Sequence, residues 1–170
     1  MKIKCFKRGM ALALGLAAAT PAASQDDVFV TFKVLKPELA LAMADAAMAE
    51  CREAGYQVGV TVVDRFGIPQ VFLRDRFAGV HVFETSRRKA WTAVSFRTST
   101  TDLAVATAPD TISSGIRELS EALPLGGGLV VEEGGGSIVA GIGVSGAPSP
   151  DLDDLCAEAG IAAIEDQIAF

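Results

Sequence analysis

The chain holds one histidine, His81, so any chemistry that needs an imidazole must run through it. A neutral imidazole is a ligand for iron and other transition metals. The plainer reading is a surface or capping residue. Met43 and Met48 carry thioethers that also ligate iron, but their helical spacing marks them first as core. Arg76, Arg87, Arg88 and Lys89 lie near His81 in sequence. Arginine pairs bidentately with carboxylates, so this cluster would suit a carboxylate-bearing ligand, the alternative being a solvated helix face. Arg87 is the first choice, because it lies six residues beyond His81, close to two helical turns. Phe77, Phe83 and Trp91 could border an apolar ligand, or serve as core or subunit contact.

Other chemistries find little support. A nucleophile–histidine–acid triad would have to use His81, and no nucleophile elbow is present. Glu132 and Glu133 are adjacent, so in extended chain their side chains diverge. Asp151, Asp153 and Asp154 lack the calcium-loop pattern and suit a helix start. Neither Gly126-Gly127-Gly128 nor Gly134-Gly135-Gly136 follows a strand and opens a helix, so neither fits a dinucleotide or phosphate loop. They read as loops beside a pocket or a subunit contact. No paired-cysteine spacing for zinc, iron–sulfur or haem attachment occurs.

The amino terminus has a separate meaning. Residues 1–8, MKIKCFKR, carry four basic residues and no acid, and residues 9–20 are apolar but too short for a membrane span. Small residues follow, completing the pattern of a secretory signal peptide. Cleavage is expected after Ser24, with Ala22 the close alternative, leaving residues 25–170 as a single domain. The whole chain has 15 basic and 21 acidic residues; losing four basic ones leaves 11 against 21, a net charge of −10. Such a chain repels a nucleic-acid backbone, and no basic stripe offsets it. No later stretch is apolar enough to cross a membrane. The expected destination is the periplasm or the medium. There, Cys51 and Cys156 could form a disulfide joining the first helix to the last, or remain two buried thiols.

The elements that must position these residues follow from the pattern. Residues 28–34 are β-rich and read as a short strand. Pro37 opens a helix running to Ala54, with Gly55 as its left-handed terminator. Residues 58–64 are a nearly continuous β-branched run, the mark of a central strand, and Gly67 turns the chain into a partner strand over 68–75. A long helix is predicted from Val82 to Phe96, with Ala90, Val94 and Trp91 on its buried side. A short helix begins near Thr101, capped by Thr100 or Thr101. Residues 109–121 read as a loop with helical turns. LVVEE and SIVAGIGVSG form a second hairpin, whose small residues over 140–146 admit a close neighbour. The last helix starts with the aspartates at 151–154.

Three segments together resemble the GlcG/HbpS family of haem-binding or haem-degrading proteins. They are the first helix with its VVDRFG hairpin, the helix containing KAWTA, and the stretch from LPLGGGLVVEE through GIGVSG to the last helix. They cover roughly residues 37–164. The resemblance implies an α/β (α+β), profilin-like fold with a five-stranded antiparallel sheet flanked by helices. It also implies homo-oligomers, often octamers, and a haem or related tetrapyrrole as ligand. On that basis the chain is expected to be a non-catalytic periplasmic haem-binding or haem-handling protein. His81 is then the expected iron ligand, with Arg87, Arg76, Phe77 and Trp91 as haem contacts. A haem-degrading enzyme is one alternative. An accessory protein of a periplasmic oxidation system, binding no tetrapyrrole, is the other.

Overall fold

The computed structural model describes residues 28–170; the expected signal peptide lies outside them. Residues 28–31 are exposed and have no regular secondary structure. Residues 32–170 form one compact unit. Its elements run α1 (Pro37–Glu53), β1 (Gly59–Asp64), β2 (Pro69–Arg74), α2 (Val82–Phe96), α3 (Thr100–Ala106), a 3-10 turn (Ser114–Glu118), β3 (Gly128–Glu132), β4 (Ile138–Ser145), α4 (Pro150–Ala162) and α5 (Glu165–Ile168).

The sheet is wholly antiparallel, with order β2-β1-β4-β3. Val60 stands opposite Leu73 on one side and Val144 on the other, which makes β1 a central strand, as its β-branched run predicts. The sheet therefore has four strands, and the expected fifth over 28–34 does not form. Just past that stretch the Leu35 amide donates to the Val139 carbonyl at 3.3 Å. β propensity without a neighbouring ladder does not make a strand.

Alternation along β1 and β4 sorts the two faces. Val60, Val62, Ala140, Ile142 and Val144 point into the larger core, against α1 and α4. Gly59, Thr61 and Val63, with Gly141, Gly143 and Ser145, turn to the other face, where α2 lies. There the small residues matter. A Cβ on Gly143 would strike the Ser86 carbonyl and stand 2.7 Å from the Ala90 nitrogen, so the helix backbone rests on the strand itself. The Thr61 and Ser86 hydroxyls hydrogen-bond at 2.7 Å within this layer.

On the opposite face Cys51 and Cys156 are joined by a disulfide, with Cα atoms 5.5 Å apart. It ties α1 to α4, where Gly160 packs against the Met43 carbonyl and the Ala47 side chain. Met43 and Met48 are buried in this core. Two turn glycines take the left-handed conformation expected of them, Gly55 at φ 86° and Gly67 at φ 83°. The cap of α3 is Ser99, rather than Thr100 or Thr101. Its hydroxyl accepts from the Asp102 amide at 3.0 Å and donates to the Asp102 carboxylate at 2.7 Å.

Candidate functional site

The loop between β2 and α2 carries His81, and several bonds hold that loop. Asp75, buried at its start, accepts two hydrogen bonds from Arg52 of α1, at 2.7 and 3.2 Å, and one from the Arg76 amide at 2.7 Å. Arg52 holds the Asp75 carboxyl below the usual carboxylate range. The Ala78 amide returns to the Asp75 carbonyl, and the Ala78 carbonyl accepts from Arg74. Gly79 then passes so close to the His81 ring that a side chain there would make the exposed ring turn aside.

His81 itself is exposed and starts α2. Its imidazole caps nothing and makes no hydrogen bond or ion pair among the described residues. It stands at the rim of a cavity of about 270 Å³, which Lys89, Ser145, Ser149 and Asp153 also line. Beside it in the chain, Phe77 is 80% exposed and Val80 91%. Phe83 is half exposed, with its ring edge-on to Phe72 at 4.7 Å between centroids.

The other expected contacts are spread along α2. Arg76 is exposed and its guanidinium makes no hydrogen bond among the described residues. Arg87 donates to the Glu121 carboxylate at 2.6 Å, and this guanidinium holds that carboxyl below its usual range. Arg88 bonds the Ala122 carbonyl at 2.8 Å. Both arginines thus pin the chain around residue 121. Trp91 lies ten residues beyond His81, about 15 Å along a helix axis, and packs over Gly67 of the first hairpin. The structure therefore groups His81, Phe77 and Arg76 on one loop, and sets Arg87 and Trp91 further along the helix.

The floor of the cavity is a feature the spacing of side chains could have revealed. Lys89 is only 1% exposed and Asp153 only 3%. Lys89 Nζ donates to Asp153 Oδ2 at 2.7 Å and to the Val144 carbonyl at 2.9 Å. Burial pulls the Lys89 ammonium below its ordinary range and pushes the Asp153 carboxyl above its own, each opposed by the other's charge. Lys89 shares a helical face with Val82, Ser86 and Ala93, all buried at spacings of three or four. Periodicity placed it inside; its charge argued for the surface.

Among the described residues no cluster of His, Cys, Asp and Glu is placed to hold a bare metal ion, and no helix is long and apolar enough to cross a membrane. A single imidazole can still ligate an iron whose other ligands come from a macrocycle.

Comparison with known proteins closes the question of kinship. No curated protein matches the chain. Among solved structures, HbpS from Streptomyces reticuli, crystallised as a double mutant, shares 38% identity, covering 87% of this chain and 99% of that one, with a TM-score of 0.76. The protein ORFY of Klebsiella pneumoniae shares 26% identity over 81% of this chain and 94% of its own, TM-score 0.77. PduOC, solved as a haem complex, shares 28% over 77% and 95%, TM-score 0.72. The family described as "Haem degrading protein HbpS-like" matches residues 35–162, and the chain belongs to that HbpS-like family.

Proposed function

We propose that this protein binds haem or a related tetrapyrrole outside the cytoplasm, with His81 as the iron ligand. One observation carries the reading: the sole imidazole is unengaged at the mouth of a cavity, next to exposed Phe77, Val80 and Phe83. An available nitrogen beside uncovered apolar side chains suits a flat, greasy macrocycle with a metal at its centre. Kinship with a haem-related family and likeness to a protein solved with haem support the same ligand. Arg76, with a free guanidinium, is the better partner for a haem carboxylate; Arg87 would first have to leave Glu121. Phe77 would border the macrocycle, whereas Trp91, packed over Gly67 of the first hairpin, stands apart from it. Bound haem would supply the redox chemistry of its iron, and the chain the imidazole, the apolar border and the cation.

The proposal extends to place and assembly. Export is supported by the Cys51–Cys156 disulfide, since such bonds persist in oxidising compartments. Assembly into a homo-oligomer would cover exposed aromatic side chains away from His81, such as Phe66. Gel filtration is then expected to give a mass of several chains, and the mature protein to begin at Gln25. A single-chain mass would remove the assembly.

Titrating haemin into the purified protein is expected to shift and sharpen the Soret band. His81→Ala should lose that change; an identical spectrum in the variant would withdraw His81 as ligand. The family description favours one further reading, haem breakdown. Adding reductant and oxygen to the complex separates the two: intact haem absorbance marks a carrier, and release of a linear tetrapyrrole marks an enzyme.

A further inference from the structure

The cavity beside His81 is lined by chemistry that iron ligation does not use. At about 270 Å³ it falls just below the range of roughly 300–1,000 Å³ usual for drug-sized ligands. A macrocycle does not fit within it; a short acid, or one arm of a larger molecule, does. The polar groups around it are unequal in kind. The Lys89 ammonium has three N–H groups, of which Asp153 and the Val144 carbonyl take two. Ser145, 5% exposed, lies 2.7 Å from Thr85 Oγ1, whose single proton also has the His81 carbonyl as acceptor at 3.1 Å, so the Ser145 hydroxyl can turn to donate to a ligand. Ser149 precedes α4 without capping it, so its hydroxyl is not held by the helix. The His81 imidazole is unengaged as well.

The carboxylate in the lining, by contrast, is occupied. Asp153 Oδ2 receives Lys89, and Asp153 Oδ1 receives the Ala147 amide at 3.0 Å. An entering ligand therefore meets a charged donor with one N–H to spare, beside hydroxyls that turn to suit it, and is held best through acceptors of its own. We propose that this cavity is a carboxylate-binding subsite, built from Lys89, Ser145, Ser149 and His81. A planar, singly charged group matches that set. A phosphate dianion does not: Lys89 is already neutralised by Asp153, and Asp151 and Asp154 follow in the first turns of α4. The same neutralisation makes recognition a matter of hydrogen bonds rather than of net charge.

The carboxylate has two possible sources, a free short acid or a side arm of the tetrapyrrole; the second alone rests on the haem reading. The single histidine supplies the probe, because the imidazole C–H signals in a proton NMR spectrum are unambiguous. Pyruvate added to the full mature protein is expected to shift them saturably, while methyl pyruvate and chloride at equal concentration do not. A doubly substituted S145A/S149A protein, which leaves the buried ion pair intact, should bind at least tenfold more weakly, the effect of about one lost hydrogen bond. For the side-arm source, haemin should bind about tenfold more tightly than its dimethyl ester, and S145A/S149A should abolish that preference. Either preference establishes the subsite. It is overturned if pyruvate acts no more strongly than chloride or phosphate and haemin and its ester bind alike. If haemin fails to bind while pyruvate saturates, the haem reading falls and the subsite stands.

Discussion

Lys89 and Asp153 show how one charged pair can organise a site while contributing little net stability. Each is buried, and each pays for desolvation before the 2.7 Å bond returns anything. Removing one partner strands the other. Lys89→Met is expected to cost about 3–5 kcal/mol, because it leaves a buried carboxyl without its counter-ion. Changing both, Lys89→Met with Asp153→Leu, should recover most of that loss. A residue of about 1 kcal/mol would remain for the Ala147 amide, which loses its acceptor. Urea unfolding of the two single variants and the double variant measures the coupling directly. A double variant whose loss equals the sum of the two single losses would show that the two side chains do not depend on each other.

At the scale of elements, α2 is set by what β4 lacks. Gly141 and Gly143 stand on the same face of the strand, and Ala90 lies over both. A methyl group on Gly143 would overlap the Ser86 carbonyl, so Gly143→Ala must lift the helix that begins at His81 and carries Lys89. The expected cost is about 1–3 kcal/mol, with weakened ligand binding alongside it. Gly115→Ala, where no atom lies within 4 Å of the added carbon, is the control and should be neutral. The other face relies on covalent help: the bridge closes a separation of 105 residues between α1 and α4. Replacing both cysteines by serine should lower stability by about 4–5 kcal/mol on the chain-entropy account. A loss matched by mild reduction of the native protein would assign it to the bridge rather than to the serines.

Much of this arrangement is legible in the sequence for reasons that are local. Pro37, Gly55 and Gly67 encode backbone angles, so the ends of α1 and the first hairpin can be read directly. The β-branched run at 58–64 announces a strand covered on both faces. The extended segment at 28–34 could not be read, since a strand needs a partner and composition does not say whether one is present. Lys89 shows the same limit in the site. Its type signals solvent, and only its spacing from Val82 and Ser86, together with an acid 64 residues away, allows it inside. His81 stands out by its scarcity, which is a property of composition; its cavity depends on α4 and β4, far along the chain.

Across the whole molecule, response to acid separates groups that the fold uses from groups it merely tolerates. Glu133 accepts hydrogen bonds from Lys33 at 2.8 Å, from the Gly135 amide at 3.1 Å and from the Ser137 amide at 3.2 Å. These hold its carboxyl at about 2, against an ordinary value of 4.5. Its folded value lies below its unfolded one, so its stabilisation is complete above about pH 4.5 and disappears as pH falls towards 2. Asp75 and Glu121, lowered by Arg52 and Arg87, act with the same sign. Asp153 acts with the opposite sign, because burial raises it and protonation relieves that cost. Glu133→Gln keeps the size of the side chain but removes its charge, and should flatten part of the fall in urea midpoint between pH 4.5 and pH 2. Repulsion among basic groups at low pH is nearly common to both proteins, so the difference between the two curves isolates this one turn. Parallel curves through that window would mean that the turn holds without its anionic anchor.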